Sequence, residues 1–255
     1  MLTKEKIISN LNKDPLFYTK NVVIETTNRC NYAPFHPRCP LHYIKEKKIL
    51  PLVLIENILK EIGEYNFSGV IYPFNYGEPN IDPRFFHILT LIKKYVPQAK
   101  IWIYSNGFMV DDTLLKELDS FGLDRLNFSA YTPEEGKYIH LMILRLRDSV
   151  KMTLRAYRRY PMDECMNDKV QWYDNEPLNL NLPCTAPLKF LTINSYGDVG
   201  LCCHDWKRIQ TFGNVAEKSL VEIIRSDKII DVFYNLLKGE RYRYQLCARC
   251  WKQRK

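Results

Sequence analysis

Up to about residue 130 the chain alternates short β-branched or aromatic runs with stretches of helical spacing. Val22–Glu25 is the first such run, and Ile55, Ile58, Leu59 and Ile62 then fall at i, i+3, i+4 and i+7, one face of a helix. Gly69–Phe74 predicts a second strand. Phe85, Ile88, Leu89 and Ile92 repeat the helical spacing, and Pro83 is placed to open that helix at its first turn. Lys100–Tyr104 predicts a third strand. Asp111 and Asp112 can cap a third helix, with Leu114, Leu118 and Phe121 on its buried face and Gly122 as its stop. Arg125–Ser129 predicts a fourth strand, residues 134–160 a mostly helical stretch, and Lys169–Tyr173 a fifth strand.

This βαβαβαβ order with short loops predicts an α/β fold in which crossover helices cover a parallel sheet. Five strands are too few to close an eight-stranded barrel. An open or partial (β/α) barrel of about five to six parallel strands is therefore expected, with its chemistry at the strand C-terminal ends. The pattern changes after Glu176–Pro187. Short strands (Phe190–Asn194, Val199–Cys202) and helices near 219–225 and 227–238 then lead to Cys247 and Cys250. The expected division is a domain over 1–176 and a small cysteine-ligated α+β domain over 177–255.

Composition narrows the class. Hydrophobic residues make up 46% and charged residues 26% of 255, which excludes a disordered chain. The longest apolar run, Ile49–Ile55, is interrupted by Pro51 and falls far short of the roughly 20 residues that span a bilayer, so no membrane partner is expected. Lys4, Glu5, Lys6, Lys13 and Asp14 deny the N-terminus the apolar core of a secretory signal, and a cytoplasmic location is expected. No GxGxxG or GxxxxGK[ST] occurs, so a dinucleotide fold and a P-loop lack support. The net charge of +8 includes a basic end (Arg241, Arg243, Arg249, Lys252, Arg254, Lys255). A solvated face accounts for it, and nucleic acid is only weakly supported as a partner.

Eight cysteines in a chain expected in the cytoplasm read as metal ligands before disulfides. Cys30 and Cys39 form one group; Cys184, Cys202, Cys203, Cys247 and Cys250 form another; Cys165 stands alone and reads as a free thiol. Cys247-Ala-Arg-Cys250 spaces two thiolates for one centre, and Cys184 with one of Cys202 or Cys203 completes four ligands. Such a set holds zinc or an iron–sulfur cluster, and spacing alone favours neither. Gly197 to Cys202 reads as a turn and a strand delivering Cys202. Alternate strand residues face opposite ways, which favours Cys202 over Cys203.

Motifs at the strand ends extend the picture. They are Glu25-Thr-Thr-Asn-Arg-Cys30-Asn31 after the first strand, Asn75-Tyr-Gly77-Glu78-Pro79 after the second, Tyr104-Ser105-Asn106-Gly107 after the third and Asn127-Phe-Ser129 on the fourth. Gly197–Asp205, Phe212–Val215 with Ser219-Leu220, and the final CxxC follow in order. Together they resemble radical S-adenosylmethionine (SAM) enzymes with a C-terminal SPASM/twitch auxiliary-cluster domain. The resemblance covers nearly the whole chain. In size and layout it is most similar to small twitch-domain members such as the aminocyclitol dehydrogenase.

The resemblance implies a [4Fe–4S] cluster on the first loop that binds SAM at an open iron, and an auxiliary [4Fe–4S] cluster on Cys184, Cys202, Cys247 and Cys250. It implies that SAM is cleaved to methionine and a 5′-deoxyadenosyl radical, which abstracts hydrogen from a small-molecule or peptide substrate. An oxidation with the auxiliary cluster as electron acceptor is expected, as is an electron donor such as flavodoxin or ferredoxin. Gly77 and Glu78 would meet the SAM amino group, and Ser105, Asn106 and Ser129 its carboxylate or ribose. Lys151, Arg155, Arg158, Arg159 and Gln171-Trp172-Tyr173 are candidate substrate contacts.

The family's CxxxCxxC pattern is broken. Its second and third positions, counted from Cys30, fall on Pro34 and Pro37. With Cys39 as second ligand, His42 keeps the CxxC register. Three accounts stay open: His42 as third ligand, His36 or Cys165 in its place, or a labile or lost cluster. A competing reading is a zinc-stapled or cluster-degenerate α/β binding protein whose basic tail contacts RNA or an acidic partner.

Overall fold

The computed structural model describes residues 2–36, 39–159, 177 and 181–250. Helix α1 (Lys4–Lys13), N-capped by Thr3, precedes strand β1 (Asn21–Ile24). The alternation then runs α2 (Leu52–Glu64), β2 (Val70–Tyr72), α3 (Phe85–Tyr95), β3 (Lys100–Ser105), α4 (Asp112–Ser120), β4 (Arg125–Ala130), α5 (Pro133–Leu146) and β5 (Thr153–Arg158). After it come α6 (Ala186–Lys189), β6 (Phe190–Ile193), β7 (Asp198–Gly200), β8 (Thr211–Asn214), α7 (Leu220–Ile224), α8 (Asp227–Leu237) and α9 (Gln245–Ala248).

The strands form one sheet in the order β5-β4-β3-β2-β1-β6-β7-β8. The first six in that order are parallel, and β7 and β8 add antiparallel at one end, so the sheet is an α/β sheet and not a closed barrel. The C-terminal region thus continues the sheet: β6 lies directly beside β1, pairing Val22 with Leu191.

Local signals account for the element ends. The Asp111 side chain accepts from the Leu114 amide to start α4, and Gly122, at φ +77, ends it in a conformation that favours glycine. Thr132 and Glu135 make a reciprocal capping box on α5. Helix α3 starts at Phe85, after the 3₁₀ turn Pro79–Ile81 and Asp82, so Pro83 lies just outside it and not in its first turn.

The helical stretch expected over 134–160 is corrected. Helix α5 ends at Leu146, and Thr153–Arg158 forms a parallel edge strand against β4. The Asp119 carboxylate accepts from the amides of Lys151 and Met152 and turns the chain back to the sheet. The mostly exposed side chains of β5, with Arg155 and Arg158 among them, suit a charged edge. The expected strand Lys169–Tyr173 and the lone Cys165 lie outside the described residues.

Ile71, Ile101, Ile103, Leu126 and Phe128 pack from one face of the sheet into the core with Ile55, Leu59, Ile88 and Leu115 of the helices. Among the described residues no helix is long and apolar enough to cross a membrane.

One ion pair links the core to the loops above it. The Asp82 carboxylate is fully buried, and Arg84 reaches it from Nε at 2.9 Å and Nη2 at 2.8 Å. The remaining Arg84 donors go to the carbonyls of Leu50 (2.7 Å) and Thr26 (3.2 Å). Removing one partner of a buried pair leaves the other charge uncompensated. Asp82→Ala is expected to cost about 3 kcal/mol, read as a lower urea midpoint with an unchanged slope.

Candidate active site

The chain leaving β1 makes a long excursion and returns to its own start. Thr27 bridges Ile49, the Leu50 amide donates to the Thr26 carbonyl, and the Asn28 amide donates to Lys48. Asn28 is wholly buried: Oδ1 accepts from the Lys48 amide at 2.7 Å and Nδ2 donates to the Glu46 carbonyl at 3.0 Å. The loop carrying Cys30, Cys39 and His42 is therefore closed at its neck.

Aromatic stacking seats that loop on α5. Tyr32 stacks on Tyr131 with centroids 4.7 Å apart, and its hydroxyl donates to the Glu135 carboxylate that caps α5. Tyr131 lies within electrostatic reach of both Cys30 and Cys39 and of Arg159, and burial drives its hydroxyl well above the usual tyrosine range. Burial likewise pushes the Cys30 thiol up, and the Asn106 amide reaches its sulfur at 3.8 Å. His42 Nε2 lies 2.8 Å from the His36 carbonyl. A carbonyl only accepts, so Nε2 is the donor in this bond. Among the described residues, no three thiol, imidazole or carboxylate groups converge tightly enough to hold a single metal ion.

The second motif docks on the neck. The Glu78 amide donates to the Arg29 carbonyl at 2.8 Å, and a Cβ on Gly77 would meet the Thr27 carbonyl oxygen at 2.0 Å. The glycine is needed for this backbone approach. The buried Glu78 carboxylate accepts from Ser105 Oγ (2.8 Å), the Asn106 amide (2.9 Å) and Asn80 Nδ2 (2.9 Å). Burial raises its pKa while these donors pull it back. Glu78 and Ser105 thus brace one another, and Asn106 and Ser129 stand at the ends of β3 and β4.

The C-terminal cysteines gather near one another. Burial, followed by the neighbouring thiols of Cys184 and Cys250, raises the Cys247 thiol. Cys202 is raised by burial and then by Cys203, with Cys247 also in reach. Thiols this buried and crowded become ligands only where a positive centre stabilises their anions, which is the chemistry of an iron–sulfur or zinc site.

Two contacts tie this group to the loops after β1 and β2. The buried Glu25 carboxylate accepts from the Tyr76 amide (3.0 Å) and from the Ser195 amide (3.1 Å) and hydroxyl (3.0 Å). The Tyr76 hydroxyl donates to the Cys203 carbonyl. A small cleft, open to solvent, lies at this junction between Glu25, Asn75, Thr192, Asp205 and Cys202. The roles of Glu25, Tyr32, Tyr76, Tyr131, Glu135 and Ser195 do not follow from the motifs. Only the Thr132–Glu135 capping box carried a local signal.

The fold and the two cysteine groups match a radical SAM protein with an added iron–sulfur domain. The family model for the Radical SAM superfamily matches residues 24–161, and that for SPASM, an iron-sulfur cluster-binding domain, matches 184–251. The chain belongs to the radical SAM superfamily. It is 22% identical over 234 residues to an S-adenosyl-L-methionine-dependent 2-deoxy-scyllo-inosamine dehydrogenase of Niallia circulans, covering 90% of this chain and 91% of that one. The crystal structure of BtrN in complex with AdoMet and 2-DOIA superposes with a TM-score of 0.76 at 21% identity, covering 90% of this chain and 92% of that one. A structure of anSMEcpe with bound AdoMet reaches a TM-score of 0.57 at 14% identity, over 91% and 89%.

The protein is accordingly an enzyme of the radical SAM class that cleaves SAM. Its cofactors are a [4Fe–4S] cluster with SAM in the first region and an auxiliary iron–sulfur cluster in the second. The zinc-stapled binding protein is not favoured.

Gly77→Ala tests the docking of the two loops. The added methyl is expected to destabilise the protein by at least about 2 kcal/mol and to lower the iron retained after reconstitution, checked by thermal denaturation and iron assay.

Proposed function

We propose that the protein is a dehydrogenase that oxidises an alcohol carbon of a small molecule by two electrons. In this reading Cys30, Cys39 and His42 hold the first cluster, and Cys184, Cys202, Cys247 and Cys250 hold the second, with the chain divided at 176/177. The observation that carries it is the tie between the two centres: Glu25 to Ser195 and Tyr76 to Cys203 fix the second cysteine group to the strand ends that bear the first. The dehydrogenase named above, matched over nine-tenths of both chains, supports the reaction class.

When bound, the first cluster and SAM supply a hydrogen-abstracting radical, and the second cluster offers a place for the remaining electron. The chain's own residues position and enclose. Asn106 and Ser129 present amide and hydroxyl groups to SAM at the strand ends, while Gly77, Glu78 and Ser105 shape the turns beneath. Tyr32 and Tyr131 wall the cysteine loop from solvent, which protects a reactive intermediate from water. A small acidic redox protein, flavodoxin or ferredoxin, supplies the reducing electron.

Anaerobically reconstituted protein is expected to hold about eight irons per chain and to release 5′-deoxyadenosine from SAM under a strong reductant. Cys30→Ala and Cys39→Ala should each lower the iron to about four and abolish release, whereas His42→Cys should retain both. A cluster-replete sample that releases no 5′-deoxyadenosine, with or without candidate alcohols, refutes the enzyme reading. Unchanged iron in Cys30→Ala refutes the ligand set.

A further inference from the structure

The sheet has two faces, and hydrophobic packing accounts for one. Ile71, Ile101, Ile103, Leu126 and Phe128 enter the helix-packed core, so the residues between them face the other way. Those are Tyr72, Trp102, Tyr104, Arg125 and Asn127. The register aligns Trp102 with Arg125, Tyr104 with Asn127, and Asn127 with Arg155.

This face is built from aromatic rings and guanidinium groups. Arg125 lies over Trp102 with its guanidinium carbon 3.5 Å from the ring centroid, which fixes the plane of its donor fork. Tyr104 and Tyr157, centroids 5.4 Å apart, are hydrogen-bonded to each other, and Arg155 bonds Tyr157. Burial and then that bond push the Tyr104 hydroxyl up to about 12. Burial also acts to raise Tyr157, but the bonds from Tyr104 and Arg155 and the nearby guanidinium charges outweigh it and leave Tyr157 lowered.

Among the described residues, two buried polar atoms on this face have no hydrogen-bond partner: Arg125 Nε and Asn127 Oδ1. Asn127 is wholly buried, and its Nδ2 is already used on the Ile103 carbonyl. Arg84 is paired with Asp82 and Arg208 with Asp198, and Arg225 and Arg241 spend their donors on backbone carbonyls. Among the described residues no carboxylate pairs with Arg125 or Arg155. An orphaned donor beside an orphaned acceptor is costly in the protein alone and is satisfied by a ligand that brings an anion and a hydroxyl.

That anion is not the SAM carboxylate. Arg125 opens β4, four residues before Ser129, which is roughly 13 Å along the strand at about 3.3 Å per residue. The cation nearer the cysteine loop is Arg159, which faces Tyr131.

We propose that the substrate is a sugar or cyclitol bearing a carboxylate or phosphate. Arg125 and Arg155 take the anion, the ring packs on Tyr72, Trp102 and Tyr104, and a hydroxyl donates to Asn127 Oδ1. The inference rests on the enzyme reading above and names its substrate class. An amine-bearing ring would meet like charge here.

The test is isothermal titration of the reconstituted, SAM-saturated protein with myo-inositol 1-phosphate, glucuronate, myo-inositol and 2-deoxy-scyllo-inosamine. At least one of the two anions should bind with a Kd of about 1 mM or tighter, and added salt should weaken it. Arg125→Gln should weaken that binding at least ten-fold with the SAM affinity unchanged. Arg155→Gln, at an exposed position on the edge strand, should do the same without threatening the fold. Binding of the neutral or amine ring as tight as the anions overturns the proposal, as does no anion binding at a Kd of about 1 mM or tighter, or unaltered binding in either variant. Anion binding without 5′-deoxyadenosine release would leave this site standing and remove the radical reading, whereas release without anion binding would remove this site alone.

Discussion

Among its described residues, the loop that carries Cys30, Cys39 and His42 has no strand and no helix of more than one turn to hold it, so its neck must. That neck is polar. Asn28 uses three backbone partners to clasp Glu46 and Lys48, and Arg84 reaches across to the Thr26 and Leu50 carbonyls while paired to buried Asp82. A hydrophobic neck would close as well but would not fix direction. Hydrogen bonds with buried, fully used partners specify one geometry, because any slip leaves groups unpaired. The Gly77 backbone against Thr27 then sets where the β2 loop sits, and Glu78 hands that position on to the β3 turn through Ser105 and Asn106.

The same logic operates toward the C-terminal region. Glu25 is the first residue after β1, and its carboxylate is buried with the Ser195 amide and hydroxyl and the Tyr76 amide as donors. With β6 hydrogen-bonded directly to β1, the auxiliary cysteine group is not hung on a flexible linker. Two redox centres that exchange an electron through one substrate need a fixed separation, and a shared sheet supplies it at no further entropic cost.

Periodicity made most of the scaffold legible. The buried positions Ile55, Ile58, Leu59 and Ile62 of α2, and Ile88, Leu89 and Ile92 of α3, are those the 3.6-residue spacing marks. It failed at Thr153–Arg158, where an exposed edge strand carries no burial pattern to set against a helix and the turn depends on Asp119 from another element. The strand-end motifs lie on loops that dock on one another, but the partners of their side chains are not written locally. The Glu78 carboxylate accepts from Ser105 and Asn106, 27 and 28 positions away. Glu25 meets Ser195 across 170 positions, a pairing that no local pattern encodes. The addition of β6 beside β1 was equally hidden, since a four-residue run does not declare its neighbour.

The broken cysteine pattern is where sequence and geometry bear on each other most closely. Replacing an anionic thiolate with a neutral imidazole raises a cluster's potential, which opposes the reduction of SAM. A ligating imidazole usually donates its second ring N–H to a carbonyl or carboxylate, and that bond fixes the tautomer and increases the basicity of the metal-facing nitrogen. His42 has such a bond, from Nε2 to the His36 carbonyl. The bond closes within the loop, since the Cys39 amide also donates to the His36 carbonyl and the His42 amide to Cys39. One carbonyl thus organises both the second cysteine and the histidine. The proposed ligation by His42 rests on this shared anchor, which would hold the imidazole and the Cys39 thiol in one arrangement.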